Sequence, residues 1–182
     1  MGTCSFGRGL KRGLLIVFTG NGKGKTTAAL GCAFRALGYQ CRVCMIQFIK
    51  GPLGSGELRS VKEFGGRMEI HPMGKGFIWS EADSERNRGA ALNAWGFAKS
   101  ALNSPGFDLV ILDELTYLVK FGLISESEVL AALEERPKDL HVIVTGRDAP
   151  ASLIEKADMV TEMNEIKHPL NEGIKALKGI DF

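Results

Sequence analysis

The eight residues Thr19-Gly-Asn-Gly-Lys-Gly-Lys-Thr26 hold three glycines, two lysines and a closing threonine, a composition suited to wrapping backbone N–H groups around a phosphate chain. Gly20, Gly22 and Gly24 let the backbone turn inward, Lys25 supplies a full positive charge, and the Thr26 hydroxyl is placed to meet a magnesium ion. The usual motif has a glycine where this chain has Thr19, so Gly20 comes one place late, and Lys23 and Asn21 add a further cation and an amide. The triphosphate is therefore expected to lie differently from its position in an ordinary ATPase.

Two further stretches carry chemistry. Phe107-Asp-Leu-Val-Ile-Leu-Asp-Glu114 reads as a strand that delivers two carboxylates at its carboxyl end, where a magnesium ion on the phosphates is usually held. Successive residues of a strand point to opposite faces, which predicts that Asp113 and Glu114 divide the labour. Met73-Gly-Lys-Gly-Phe-Ile-Trp79 places two large rings, Phe77 and Trp79, in a stretch loosened by Gly74 and Gly76; exclusion of water from a site and hairpin or core packing both fit the residues alone. Lys50 and Arg147 each follow a strand-like run at the same edge, where a phosphate contact and a solvated surface charge stay open. His71 and His168 carry little information. Cys41-Arg-Val-Cys44 has a metal-like spacing, but on a strand residues three apart face opposite ways, so Cys4, Cys32, Cys41 and Cys44 are expected to be ordinary thiols of a reducing compartment.

The elements that must position these residues alternate. Apolar runs at 14–18, 42–48, 109–112 and 140–145 read as strands, and helical patterns separate them, which is the arrangement of a largely parallel sheet. A helix is expected over 27–37, directly behind the phosphate loop. Another over 57–64 puts Leu58, Val61 and Phe64 on one side, and a long one over 81–102 carries the stripe Ala91, Trp95, Ala98 and Leu102. Ser125 and Glu128 form a capping box for a helix that buries Val129, Leu130 and Leu133 and stops at Arg136-Pro137. The glycines cluster in the loops between, where α/β proteins build sites.

Composition bounds the function. The 182 residues allow one domain of 14–182 behind a flexible, glycine-rich N-terminal tail of 1–13. Forty-five per cent hydrophobic and 24% charged residues argue against disorder, and a net charge of +2 gives no broad field for nucleic acid. No apolar stretch approaches the ~20 residues that span a bilayer, and Phe6 stands where a myristoylation signal needs Ser or Thr, so a cytoplasmic protein free of the membrane is expected.

Gly20-Asn-Gly-Lys-Gly-Lys-Thr-Thr27, Gln47-Phe-Ile-Lys-Gly51, Gly76-Phe-Ile-Trp79, Asp113-Glu-Leu-Thr-Tyr117, Val144-Thr-Gly-Arg147 and the ending from Lys167-His168 to Gly179-Ile-Asp-Phe182 together resemble the ATP:corrinoid adenosyltransferases of the phosphate-loop type. The resemblance runs from about residue 14 to the end. It implies an α/β fold with a mostly parallel sheet flanked by helices, the P-loop NTPase (RecA-like) architecture. It also implies a reaction in which cobalt(I) of a reduced corrinoid attacks the 5′-carbon of ATP and releases triphosphate, in adenosylcobalamin biosynthesis and corrinoid salvage. By the same resemblance Gly20, Asn21, Gly22, Lys23, Gly24, Lys25, Thr26, Thr27 and Arg147 bind ATP, and Lys25 and Glu114 are catalytic. Thr26 and Glu114 meet magnesium and ribose, and Phe77 and Trp79 face the corrinoid. ATP is co-substrate with Mg2+; an electron-donor flavoprotein and a homodimer are the implied partners. The resemblance implies a longer N-terminal helical arm over the nucleotide, which the 13 glycine-rich residues before the first strand are not expected to supply. The alternative is a small-molecule kinase or ATPase on the same scaffold. A kinase brings several arginines over the γ-phosphate, whereas the stretch 146–156 supplies Arg147 alone.

Overall fold

A strand that is apolar at every position must be covered on both faces, and the chain builds its sheet accordingly. The computed structural model describes residues 12–51, 54–76 and 81–181, the side chains of 81–86 excepted. The first strand, β1 (Leu15–Thr19), runs through the phosphate loop into helix α1 (Lys25–Gly38). Then follow β2 (Val43–Gln47), α2 (Gly56–Ser60) continued by a 3-10 turn at Val61–Phe64, β3 (Met68–Pro72) and the long α3 (Glu81–Leu102). The second half comprises β4 (Leu109–Asp113), α4 (Leu115–Lys120), α5 (Glu126–Glu135), β5 (His141–Thr145), α6 (Ala151–Lys156) and β6 (Met159–Glu162).

All strand pairs are parallel, in the order β3-β2-β4-β5-β1-β6. Alternate residues feed two cores. Leu15, Val17, Cys44, Ile46, Val110, Leu112, Val142 and Val144 meet α3 and α5 through Trp95, Ala98, Leu102, Val129 and Leu133. Ile16, Phe18, Val43, Met45, Leu109, Ile111 and Ile143 meet α1 through Ala29, Ala33, Ala36 and Leu37. The order places β5 between β1, which leads into the phosphate loop, and β4, which delivers the acidic pair. All three strands end at one edge, the edge at which open parallel sheets bind ligands.

The expected α/β architecture and its four interior strands hold. The helix expected over 57–64 is α2 followed by a tighter 3-10 turn, and the first helix starts at Lys25, two residues earlier than expected. The Ser125 hydroxyl accepts from Glu128 N–H at 3.1 Å, but the Glu128 carboxylate does not return the bond. It takes the Trp95 indole N–H at 2.8 Å and Lys99 instead, tying α5 to α3. Cys32 and Cys44 are free thiols, and burial with the nearby Glu69 charge pushes Cys44 up to about 12. Cys41 corrects the thiol expectation: it precedes β2 and is disulfide-bonded. The tail at 1–11, with Cys4, lies outside the described residues. Among the described residues no helix is long and apolar enough to cross a membrane.

Candidate active site

The phosphate loop opens into α1 through Gly24, whose φ of +117° is open to glycine and strained for any L side chain. Its outer side rests on the segment after β6: Gly22 N–H donates to Met163 O at 2.6 Å, and a Cβ at Gly20 or Gly22 would overlap Met163 or Asn164 backbone. The Lys25 ammonium donates to Gly20 O at 2.7 Å and Gly22 O at 2.6 Å, so it lies within the loop's curl. Burial, then the Arg147 charge, lowers its pKa. Lys23 pairs with Asp181 near the carboxyl end of the chain, and both residues line the same cavity.

Asp113, the last residue of β4, is fully buried beneath the loop. Its carboxylate accepts from Thr26 Oγ1 at 2.8 Å, Thr145 Oγ1 at 2.7 Å and, more weakly, Gln47 Nε2 at 3.4 Å. Burial raises its pKa against those three hydrogen bonds and the Lys50 charge. Glu114 leaves the strand in a left-handed conformation, φ 64°, and lines the cavity above. Burial first, then the Asp113 charge, lifts it to about 7 against Lys50, Lys25 and Arg147. The two carboxylates therefore separate as expected, but a backbone turn at residue 114 does it and not simple strand alternation.

One cavity of about 870 Å³ joins these groups. Asn21 to Thr27, Lys50, Glu57, Glu114 and Arg147 make its charged end; Leu30, Phe34, Val61, Phe64 and Ile70 make an apolar wall between α1 and the α2 turn. His168 and Gly179 to Asp181 close one side. Thus the chain brings together every nucleotide-site residue expected from Asn21 to Thr27, with Glu114 and Arg147. Gly20 stands just behind, as acceptor for Lys25. Phe77 and Trp79 lie outside the described residues, but Gly74 and Gly76, which lead to them, are pinned to Lys50 O at 3.0 Å and Ile49 O at 2.9 Å. His71 does not line this cavity; its ring lies 4.5 Å from that of Phe97.

Sequence reasoning missed a polar network at the same edge. Gln47 Nε2 donates to Glu57 Oε1 at 3.1 Å as well as to Asp113, and Lys50 donates to Glu57 at 2.9 Å. Burial pushes Glu57 up, but the Lys50 hydrogen bond and charge, with a backbone hydrogen bond, outweigh it and hold the group at about 2. The available signal was position: Gln47 and Thr145 are polar residues that follow directly on apolar runs and end their strands at the ligand edge. Thr116 adds another link, donating to Arg147 O at 2.7 Å. Gly146, with φ +146°, must be glycine here because a Cβ would overlap Thr116 Oγ1. Gly146→Ala is expected to destabilise the protein by about 2 kcal/mol or more. A thermal midpoint equal to that of the unchanged protein would show that Thr116 yields its place freely.

A glycine loop between a buried strand and a helix, with a carboxylate under its threonine, defines a P-loop nucleotide-binding protein of RecA-like fold. The flagellar accessory protein FlaH from Methanocaldococcus jannaschii has the same fold, with a TM-score of 0.55 at 17% identity over 86% of this chain and 73% of that one. The sequence profile of the ATP:corrinoid adenosyltransferase BtuR/CobO/CobP family matches residues 11–182, and the chain belongs to that family. Corrinoid adenosyltransferases of Pseudomonas aeruginosa and Escherichia coli K12 are each 44% identical over 94% of this chain, covering 85% and 87% of their own lengths. The corrinoid adenosyltransferase CobA of Salmonella typhimurium is 42% identical over the same share of the chain and 87% of its own. The activity is transfer of the adenosyl group of ATP to a corrinoid.

Proposed function

We propose that the cavity holds ATP with its triphosphate as a leaving group, and that residues 14–182 form the single domain which does so. The cobalt(I) lone pair of the corrinoid substrate attacks the 5′-carbon, the C5′–O bond breaks, and its electron pair leaves with the triphosphate. The observation that carries this is the cavity itself: Lys23, Lys25, Lys50 and Arg147 line one end of a space whose other wall is apolar. Cations there stabilise charge that develops on the departing group, and the apolar wall suits uncharged parts of the two substrates. Lys25 is already within the loop, and displacement from Gly20 O and Gly22 O would carry it onto the phosphates.

The donor set fits magnesium, since the Thr26 hydroxyl and the Asp113 and Glu114 carboxylates are all oxygen ligands. Among the described residues no group of three or more His, Cys, Asp or Glu could hold a metal ion, so the nucleotide's oxygens would complete the shell. Thr26 and Glu114 would touch the ion, and Asp113 would orient Thr26 from below. When bound, the ion draws charge from the triphosphate. Cytoplasmic location, a homodimer and a flavoprotein electron donor complete the proposal; they rest on resemblance to the family.

Anaerobic incubation with ATP and chemically reduced corrinoid tests the reaction. The expected result is the visible spectrum of the alkylated corrinoid with inorganic triphosphate in equal amount; ADP as the product would instead identify a kinase or ATPase.

Phe77 and Trp79 remain the proposed corrinoid contacts, excluding water and the corrinoid's lower axial ligand so that cobalt is easier to reduce. Phe77→Ala and Trp79→Ala are expected to slow adenosylation at least about tenfold, or ~1.4 kcal/mol of barrier, when cobalt(II) must first be reduced by a physiological donor. The loss should be smaller with preformed cobalt(I), at an unchanged thermal midpoint. A uniform loss with about 3 to 5 kcal/mol of destabilisation would assign the rings to core packing.

A further inference from the structure

We infer that Thr145 and Thr116 are positioning residues: a reciprocal pair of hydroxyl clasps that holds Glu114 and Arg147 apart and facing the nucleotide. The inference rests on the nucleotide and magnesium roles proposed above for Glu114 and Arg147.

Thr145 ends β5 and Thr116 lies in the first turn of α4, and each fastens the turn that carries the other's charged neighbour. Thr145 Oγ1 accepts from Glu114 N–H at 2.9 Å while donating to Asp113 Oδ1 at 2.7 Å, so one hydroxyl grips both residues of the acidic corner. Thr116 Oγ1 donates to Arg147 O at 2.7 Å. Both threonines are buried and neither lines the cavity, so neither is placed to touch substrate.

What the clasps hold is strained backbone. Among the described residues three non-glycine residues have positive φ: Gln40, Glu114 and Asp148. Two of the three sit in the clasped turns, and such conformations persist only where surrounding structure imposes them. The turn of Arg147 is fixed further by Gly146 N–H to Phe18 O at 3.2 Å, Ala149 N–H to Thr19 Oγ1 at 3.2 Å and the Lys120–Asp148 ion pair. Glu114 and Arg147 are opposite charges lining one cavity and close enough to influence each other's field. Yet among the described residues no ion pair joins Glu114 to Arg147 or to Lys25. Two flexible side chains of opposite charge on free turns would collapse onto one another; fixed turns leave the carboxylate to the metal and the guanidinium to the phosphates.

Thr145→Val, nearly isosteric, removes the hydroxyl, and Thr145→Ser restores it. Calorimetric titration with Mg-ATP is expected to show affinity weakened about 10- to 100-fold by Thr145→Val, as for loss of hydrogen bonding to charged groups, and within about threefold of the unchanged protein in Thr145→Ser. Thr116→Val should weaken Mg-ATP affinity in the same way, and Thr116→Ser should restore it. Repeating Thr145→Val in a Glu114→Gln background isolates the mechanism. Asp113 keeps its Thr26 and Gln47 donors there, so the further loss should fall below about threefold. An equal loss in both backgrounds, or a lowered thermal midpoint with unchanged Mg-ATP affinity, overturns the inference and leaves the roles of Glu114 and Arg147 standing. Mg-ATP affinity unaltered by Glu114→Gln alone overturns the role of Glu114, and with it the clasp on that side.

Discussion

Replacing Lys25 by alanine is expected to lower kcat about a hundred- to a thousandfold while weakening ATP binding much less. The ammonium bonds inside the loop's curl, 2.7 Å from Gly20 O and 2.6 Å from Gly22 O, whereas Lys23 is engaged by the Asp181 carboxylate. In the proposed ground state several cations along the cavity would share in neutralising the triphosphate, so loss of one would be tolerated. In the transition state the C5′–O bond is breaking and negative charge concentrates on the leaving oxygen. A preorganised donor then counts for more than in binding, and removal of one such donor costs about 3 to 4 kcal/mol in comparable sites. Steady-state kinetics with preformed cobalt(I) and saturating ATP separate the two effects. Near-normal kcat with a raised KM would reduce Lys25 to a binding residue. Thermal denaturation beside the kinetics guards against a collapsed loop, which would depress the midpoint and both constants together.

The parts of this fold that were legible in the sequence are those whose burial leaves a local mark. β1, β2, β4 and β5 are covered on both faces and read as apolar runs, and the stripe Ala91, Trp95, Ala98 and Leu102 is buried as its spacing required. β3, Met-Glu-Ile-His-Pro, interrupts its apolar residues with charge and ends in proline because it is an edge strand, and it gave no run to read. β6 is the opposite edge, four residues all exposed. α4 and α6 span six residues each, less than two turns, so no helical period could show. The site divides the same way. The phosphate loop is contiguous and was visible whole. The acidic corner was visible as composition, but the left-handed turn at Glu114 was not, because glutamate seldom adopts it. Thr145 and Thr116 meet partners 31 or 32 residues away in the chain. Only the insertion of β5 between β1 and β4 makes them neighbours, and strand order is a property of the whole sheet.

Glu114→Gln is expected to abolish magnesium-dependent adenosylation and at the same time to make the protein more stable, increasingly so with rising pH. The folded protein holds Glu114 at about 7, against an ordinary 4.5, because burial and the Asp113 charge disfavour its ionised form. Between those values the unfolded chain has lost the proton that the folded chain keeps. Folding is therefore opposed by a growing charge cost as pH rises from 4.5, and the cost is complete above about 7. That cost is on the order of 3 kcal/mol, and glutamine, which keeps the shape without the charge, does not incur it. Magnesium bound as proposed would reverse the balance, since a divalent ion beside Thr26 favours the carboxylate that burial penalises. Unchanged enzyme should thus bind Mg-ATP less tightly below about pH 7, where a proton competes with the metal, while the glutamine variant should bind weakly at every pH. Thermal midpoints of both proteins without nucleotide, at pH 5 and pH 8, check the stability half: their difference should widen in favour of the variant at the higher pH. A variant that is inactive and less stable at both pH values would show a damaged fold in place of a removed ligand. One that turns over normally at low magnesium would pass the metal-binding role to Asp113, whose carboxylate already holds Thr26 at 2.8 Å.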